Sequence, residues 1–273
     1  MHTEKVGTEN LRIGDTSVSV FADKIGRASC VWTGLRIRAE RLSGMALVNS
    51  DEVLTTLNEQ RAKLPIHHRF DFETAAPDPM KFYRSNDEPA WKAADKGLIL
   101  ESVGAEGWAA SMLVSRHSID GDFDVTLTLG EADLAMPSEG RYSALMWQVQ
   151  QLENDRSRFA SMFMRTPSEY KVVAQQHRTS PDGSHDYIWN GDLEMKNVSS
   201  LRIARRGKVY TMLARSEGSA RDELIHQTEH FDGPILLHCL LHTGATGKKS
   251  RVLLKSIEVY MDEQKESAGL RSR

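Results

Sequence analysis

The sequence predicts an all-β fold of two antiparallel sheets, and three observations predict it. Apolar and polar residues alternate at period two through most of the chain. The alternating runs are short and are separated by glycine and polar turn residues. A single segment breaks that rhythm with helical spacing.

In chain order, residues 11–13, 17–21 and 31–38 read as strands with too little apolar material for a core of their own. Residues 51–64 place Val53, Leu54 and Leu57 at helical spacing, behind Ser50 as N-cap and ahead of Pro65 as a stop. Strand patterns follow at 98–100 and 111–114. Phe123, Val125, Leu127 and Leu129 then alternate with Asp122, Asp124, Thr126 and Thr128. Leu145, Trp147 and Val149 alternate with Met146, Gln148 and Gln150, and further runs occupy 159–163 and 172–176. Residues 201–203 and 209–214 flank Arg205-Arg206-Gly207-Lys208, a hairpin signal in which glycine supplies positive φ. Runs at 235–241 and 252–260 close the series. The organisation expected is a β-rich extension over 1–44, a helical linker over 45–65, a sandwich over 66–262 and a disordered tail over 263–273. Residues 26–31 faintly echo residues 247–252; a true repeat would make the extension a remnant of a preceding sandwich, or an added flap on the main domain.

Composition excludes several classes. Among 273 residues, 35 are basic and 38 acidic, so no basic field recommends nucleic acid. Cys30 and Cys239 cannot make a disulfide framework. The apolar run 235–241 is interrupted by His238 and is too short for a membrane span. Residues 1–15 lack a signal-peptide pattern, which, if Met1 is the native start, makes a cytoplasmic location the expectation. Oligomeric state is not legible.

Ile66 to Tyr260 resembles the concanavalin A-like lectin/glucanase superfamily of laminin-G-like jelly rolls. The resemblance rests on His68-Arg69-Phe70-Asp71-Phe72, Gly97-Leu98-Ile99-Leu100 and Ile119-Asp120-Gly121-Asp122-Phe123-Asp124-Val125. The hairpin Leu201 to Tyr210 and the closing strand 252–260 complete it. Within the superfamily the chain resembles most closely a bacterial domain family of unknown function, family 1583. The resemblance implies a jelly-roll sandwich holding ligands on its concave face or in edge loops. It does not imply catalysis.

Glucanases of this fold use a Glu-x-Asp-x-x-Glu strand, whose carboxylates serve as nucleophile and acid. Here Glu131 and Asp133 match, but Met136 stands where the last acid must be and Pro137 follows, so the segment reads as an acidic loop. Asp120, Asp122 and Asp124 are spaced like calcium-loop ligands, yet Val125 occupies the position that needs glycine. They read as solvated aspartates at a turn, with edge-bound calcium left open and no other cofactor expected. His226/His230 and His238/His242 fail as zinc pairs; the second pair shares a strand face about 13 Å apart. Residues 244–250 read as a hairpin turn rather than a phosphate loop. Arg202, Arg205, Arg206 and Lys208 read as a basic, soluble turn.

What remains is a polar and aromatic surface. Gln148 and Gln150 face outward if Trp147 faces the core, Gln175, His177 and Arg165 line neighbouring strands, and Tyr187 and Trp189 sit in a loop over 182–192. Planar amides bond sugar hydroxyls, and aromatic rings stack on apolar sugar faces. The expectation is a non-catalytic module binding a glycan or a protein. The alternative is a diverged glycoside hydrolase or lyase drawing its acids from Glu153, Glu169 or Asp186.

Overall fold

The computed structural model describes residues 9–13, 16–20, 50–78, 81–84, 91–106, 110–152, 157–179 and 184–266. Cys30, Glu153, the 26–31 echo and the strand expected over 31–38 lie outside these residues. The chain divides into two compact units, Met1–Val53 and Leu54–Arg273. In the first, β1 (Glu9–Ile13) and β2 (Thr16–Val20) pair as an antiparallel hairpin.

Helix α1 spans Ser50–Arg61 with Asp51 and Glu52 in its first turn, where carboxylates complement the helix dipole. It ends sooner than residue 64. The Lys63 and Leu64 amides donate to the Gln60 and Arg61 carbonyls, tightening the chain before Pro65, which disfavours helical geometry in the residue ahead of it. From Leu54 onward the helix belongs to the second unit, where Asn58 bonds Arg202 of a strand.

The second unit's strands are β3 (Ile66–Asp71), β4 (Phe82–Arg84), β5 (Trp91–Ala94), β6 (Gly97–Val103), β7 (Ala110–Ser115), β8 (His117–Asp133), β9 (Ser143–Gln151), β10 (Arg158–Arg165), β11 (Tyr170–Thr179), β12 (His185–Glu194), β13 (Val198–Arg206), β14 (Val209–Ser216), β15 (Glu223–Glu229), β16 (Ile235–His242) and β17 (Lys249–Glu266). They form two antiparallel layers. One runs β12-β11-β10-β9-β16-β7-β4. The other runs β15-β14-β13-β8-β17, and β17 pairs on its far side with β6 through residues 249–254 and with β3 through residues 256–261. Only the Ile235–Ile119 pair links β16 to β8 and so bridges the layers. This is the antiparallel sandwich the alternation predicts, with the jelly-roll form the resemblance implies.

The core lies between the layers. Leu145, Trp147 and Val149 of β9 share one core with Phe123, Val125 and Leu127 of β8 and with Tyr210, Ile203 and Val259. Several strands are buried on both faces, which the sequence shows as apolar residues at both parities in β9, β10 and β16.

Four expectations are corrected. Residues 185–194 are strand β12, not a loop. Glu131 and Asp133 lie in β8, where Ala132 and Asp133 pair with Val252 and Arg251. Residues 243–248 do not turn a hairpin: they carry the chain from β16 in one layer to β17 in the other. Residues 263–266, placed in the tail by the sequence, belong to β17, which pairs as far as Glu266 with His117.

Gly97, at the β5–β6 turn, has φ of 137°, and a Cβ there would lie 2.3 Å from the Leu254 carbonyl oxygen. Gly97→Ala is therefore expected to cost about 2 kcal/mol, read as a lower urea midpoint with the slope unchanged.

Candidate functional site

Strand register sets the residues facing away from the core on the β12-to-β16 layer into cross-strand rows. One row reads His238–Gln148–Ala160–Gln175–Trp189 across β16, β9, β10, β11 and β12. The next reads Leu236–Gln150–Arg158–His177–Tyr187. At about 4.8 Å per strand, each row spans roughly 19 Å. On the other side of the first row lies an apolar patch of Met146, Met162, Met164, Ala144, Val173 and Leu240.

Exposure is graded along the rows. Tyr187 and Trp189 at the β12 edge are 57% and 44% exposed, whereas Gln148 and His238 are 4% and 8% exposed. The aromatic residues are held in place. The Tyr187 ring stacks on His177 at 4.4 Å and 6°, and Trp189 meets Tyr142 edge-on at 5.8 Å. Gly191, with φ of 66°, lets β12 approach β15; a Cβ there would lie 2.3 Å from the Ile225 oxygen. Burial, helped by the charge of Arg158, pushes His238 down to about 3, so its imidazole is neutral near pH 7. Its Nε2 is buried without a hydrogen-bond partner.

A family model described as "Protein of unknown function (DUF1583) C domain" matches residues 1–87 and 86–268. The chain belongs to this family. No curated protein matches it. Solved structures similar to this DUF1583 chain include LamAcat from Zobellia galactanivorans, at 12% identity and TM-score 0.51, over 73% of this chain and 99% of that one. The Crh5 transglycosylase in complex with NAG superposes with TM-score 0.53 at 10% identity, over 74% of this chain and 87% of that one. The kappa-carrageenase from Pseudoalteromonas carrageenovora, complexed with an oligotetrasaccharide of kappa-carrageenan, does so with TM-score 0.50 at 7% identity, over 72% and 96%. At these identities the likeness shows the fold alone, the concanavalin A-like jelly roll.

In the DUF1583 sandwich six of the seven sequence-proposed ligand residues fall on this one face: Gln148, Gln150, Gln175, His177, Tyr187 and Trp189. Arg165 does not join them. It shares the core-facing parity of Phe159 and Phe163, donates to the Leu134 carbonyl at 2.6 Å and lies over the Tyr170 ring. Sequence reasoning missed His238, Arg158 and Tyr142. A polar residue inside an apolar run was the available signal for His238.

Acids are scarce here. Strands β7, β9, β10, β11 and β16 contain no Asp or Glu. On the described face the carboxylates are Asp192 and Glu194 of edge strand β12, and Asp192 is paired to Lys171 at 2.7 Å. Of the acids proposed for hydrolysis, Glu169 also pairs with Lys171, at 2.9 Å, and Asp186 alternates onto the other side of β12 from Tyr187.

The outer face of the opposite layer is occupied by α1 and a buried ionic cluster. Arg202 donates from Nε and Nη2 to the two oxygens of Asp124 at 2.8 and 2.6 Å, and from Nη1 to Asp222 and Asn58. Arg206 lies 3.8 Å from Asp124. Arg61 lies 4.0 Å from Asp124 and pairs with Glu258. Arg205 instead turns to the core side, donating to the Gly121 and Gly233 carbonyls over the Phe123 ring. The expected soluble basic turn is thus largely a structural cluster. Asp124 is fully buried rather than solvated, and Asp122 accepts from the Gly207 amide. Among the described residues no group of three His, Cys, Asp or Glu is placed to hold a metal, and no helix is long and apolar enough to cross a membrane.

Proposed function

We propose that this domain binds a glycan without cleaving it, on the outer face of β9 to β12. The observation that carries this reading is the pair of rows: two exposed rings propped by their neighbours, beside the side-chain amides of Gln150 and Gln175 and the guanidinium of Arg158. Rings of this kind stack on sugar faces, and amides meet hydroxyls in two directions. The structural neighbours named for NAG and for kappa-carrageenan support a carbohydrate ligand for this fold. The lack of acids on the five inner strands supports binding over hydrolysis, since two-carboxylate cleavage needs an acid on each side of the scissile bond.

Screening the purified protein on a glycan array, then measuring the best ligand calorimetrically, tests the proposal. Trp189→Ala and Tyr187→Ala are each expected to weaken that ligand at least tenfold while leaving the unfolding midpoint near wild type. Saturable binding that neither change affects would place the site elsewhere. Release of reducing ends from a polysaccharide panel, abolished by Asp192→Asn or Glu194→Gln, would replace this reading with the hydrolase.

A further inference from the structure

Between the two layers, where edge strand β3 faces β4 and β7, lies a pocket partly open to solvent. It is separate from the rows on the outer face. Phe70, Phe82, Ile119, Leu237, Val259 and Met261 line it, and all but Phe70 are at most 4% exposed. Its polar lining is basic or neutral: Lys81, His68 and His117 stand beside Ser115, Ser118 and Gln264. The ammonium of Lys81, an exposed residue, lies 5.3 Å from the Phe70 ring centre, and His68 Nε2 lies 2.8 Å from Gln264 Oε1. The Nδ1 of His117 is buried and has no hydrogen-bond partner. No Asp or Glu is among the described residues that line the pocket.

We infer that this pocket binds an apolar carboxylate, of the class of medium-chain fatty acids. A wall this apolar would strip water from sugar hydroxyls without replacing their hydrogen bonds, so it disfavours a second glycan. A hydrocarbon chain loses nothing there and gains by leaving water. The carboxylate meets Lys81 at the mouth, where partial exclusion of water strengthens the attraction, and the His117 imidazole supplies a further polar contact.

The test uses 1-anilinonaphthalene-8-sulfonate as a fluorescent apolar anion, displaced by decanoate and, in parallel, by uncharged decanol. Wild-type protein should release the dye saturably to both, with decanoate the tighter. Lys81→Glu, at an exposed position and checked for unchanged near-ultraviolet circular dichroism, should weaken decanoate about tenfold and leave decanol within twofold. Leu237→Phe, which adds bulk to the lining, should weaken both. Failure of decanoate to displace the dye, or equal decanoate affinity in Lys81→Glu, overturns the proposal. Neither outcome bears on the outer-face glycan reading, whose variants lie in β12.

Discussion

Replacing Asp124 by alanine is expected to lower the free energy of unfolding by about 3–5 kcal/mol. Asp124 is fully buried and accepts both arms of the Arg202 guanidinium, with Arg206 and Arg61 within 4.0 Å. Its removal leaves three cations around a vacated anion, and Arg202, itself 2% exposed, keeps only Asp222 as a charged partner. Breaking a buried pair on one side costs more than replacing both partners, because an uncompensated charge stays in low dielectric. Asp124→Leu combined with Arg202→Leu should therefore cost less than Asp124→Ala alone. Urea unfolding of the three proteins checks the order, and a single variant within 1 kcal/mol of wild type would show the cluster to be energetically idle. Because Arg202 also holds Asn58, α1 is expected to loosen in Asp124→Ala, read as faster amide exchange at residues 54–61.

The second large effect is acid sensitivity centred on buried imidazoles. Burial pushes His238 down to about 3 and His230 down to about 4, the latter against the raising effect of its bond to the Arg158 carbonyl. In the unfolded chain both take a proton near pH 6.5. Between pH 6.5 and 4 the unfolded state thus binds more protons, and stability falls as pH falls. It is fully present above pH 6.5, and the loss approaches about 1.4 kcal/mol per pH unit for each histidine. Urea midpoints measured at pH 7, 6 and 5 should fall steadily, and His238→Leu should flatten the dependence. A midpoint unchanged from pH 7 to 5 would contradict it.

Much of this architecture was legible in period-two alternation, because one-sided burial writes itself into a strand at every second residue. The same rule explains why Gln148, Gln150, Gln175 and His177 came out on one face: the first three are each offset by one residue from a core side chain, and His177 keeps the parity of Gln175. It also explains the error over Arg165, whose parity matches Phe163. Its guanidinium reaches the Leu134 carbonyl past the end of the core, and a residue's type does not reveal that reach. The loop assigned to 182–192 failed for another reason. Glycine and polar residues there signal a turn, yet Gly191 serves the close approach of two edge strands. The ionic cluster was hidden by sequence distance: Asp124 and Arg202 both alternate onto polar faces and read as solvated until α1 covers them. Arg205 faces the core side and buries its head against carbonyls, which no local pattern announces.

Strand β17 pairs with β8 along most of its length and with β3 and β6 on its other side, so a central member of its layer comes after every strand it binds. A ribosome emitting this chain must release residues 249–266 before that layer can close. Until then β3, β6 and β8 have hydrogen-bonding edges awaiting a partner, and such long-range pairing makes for slow folding and exposure to aggregation. Production of the domain should therefore depend on chaperone supply, and shortening the chain into β17 should be far more damaging than any fusion placed beyond it.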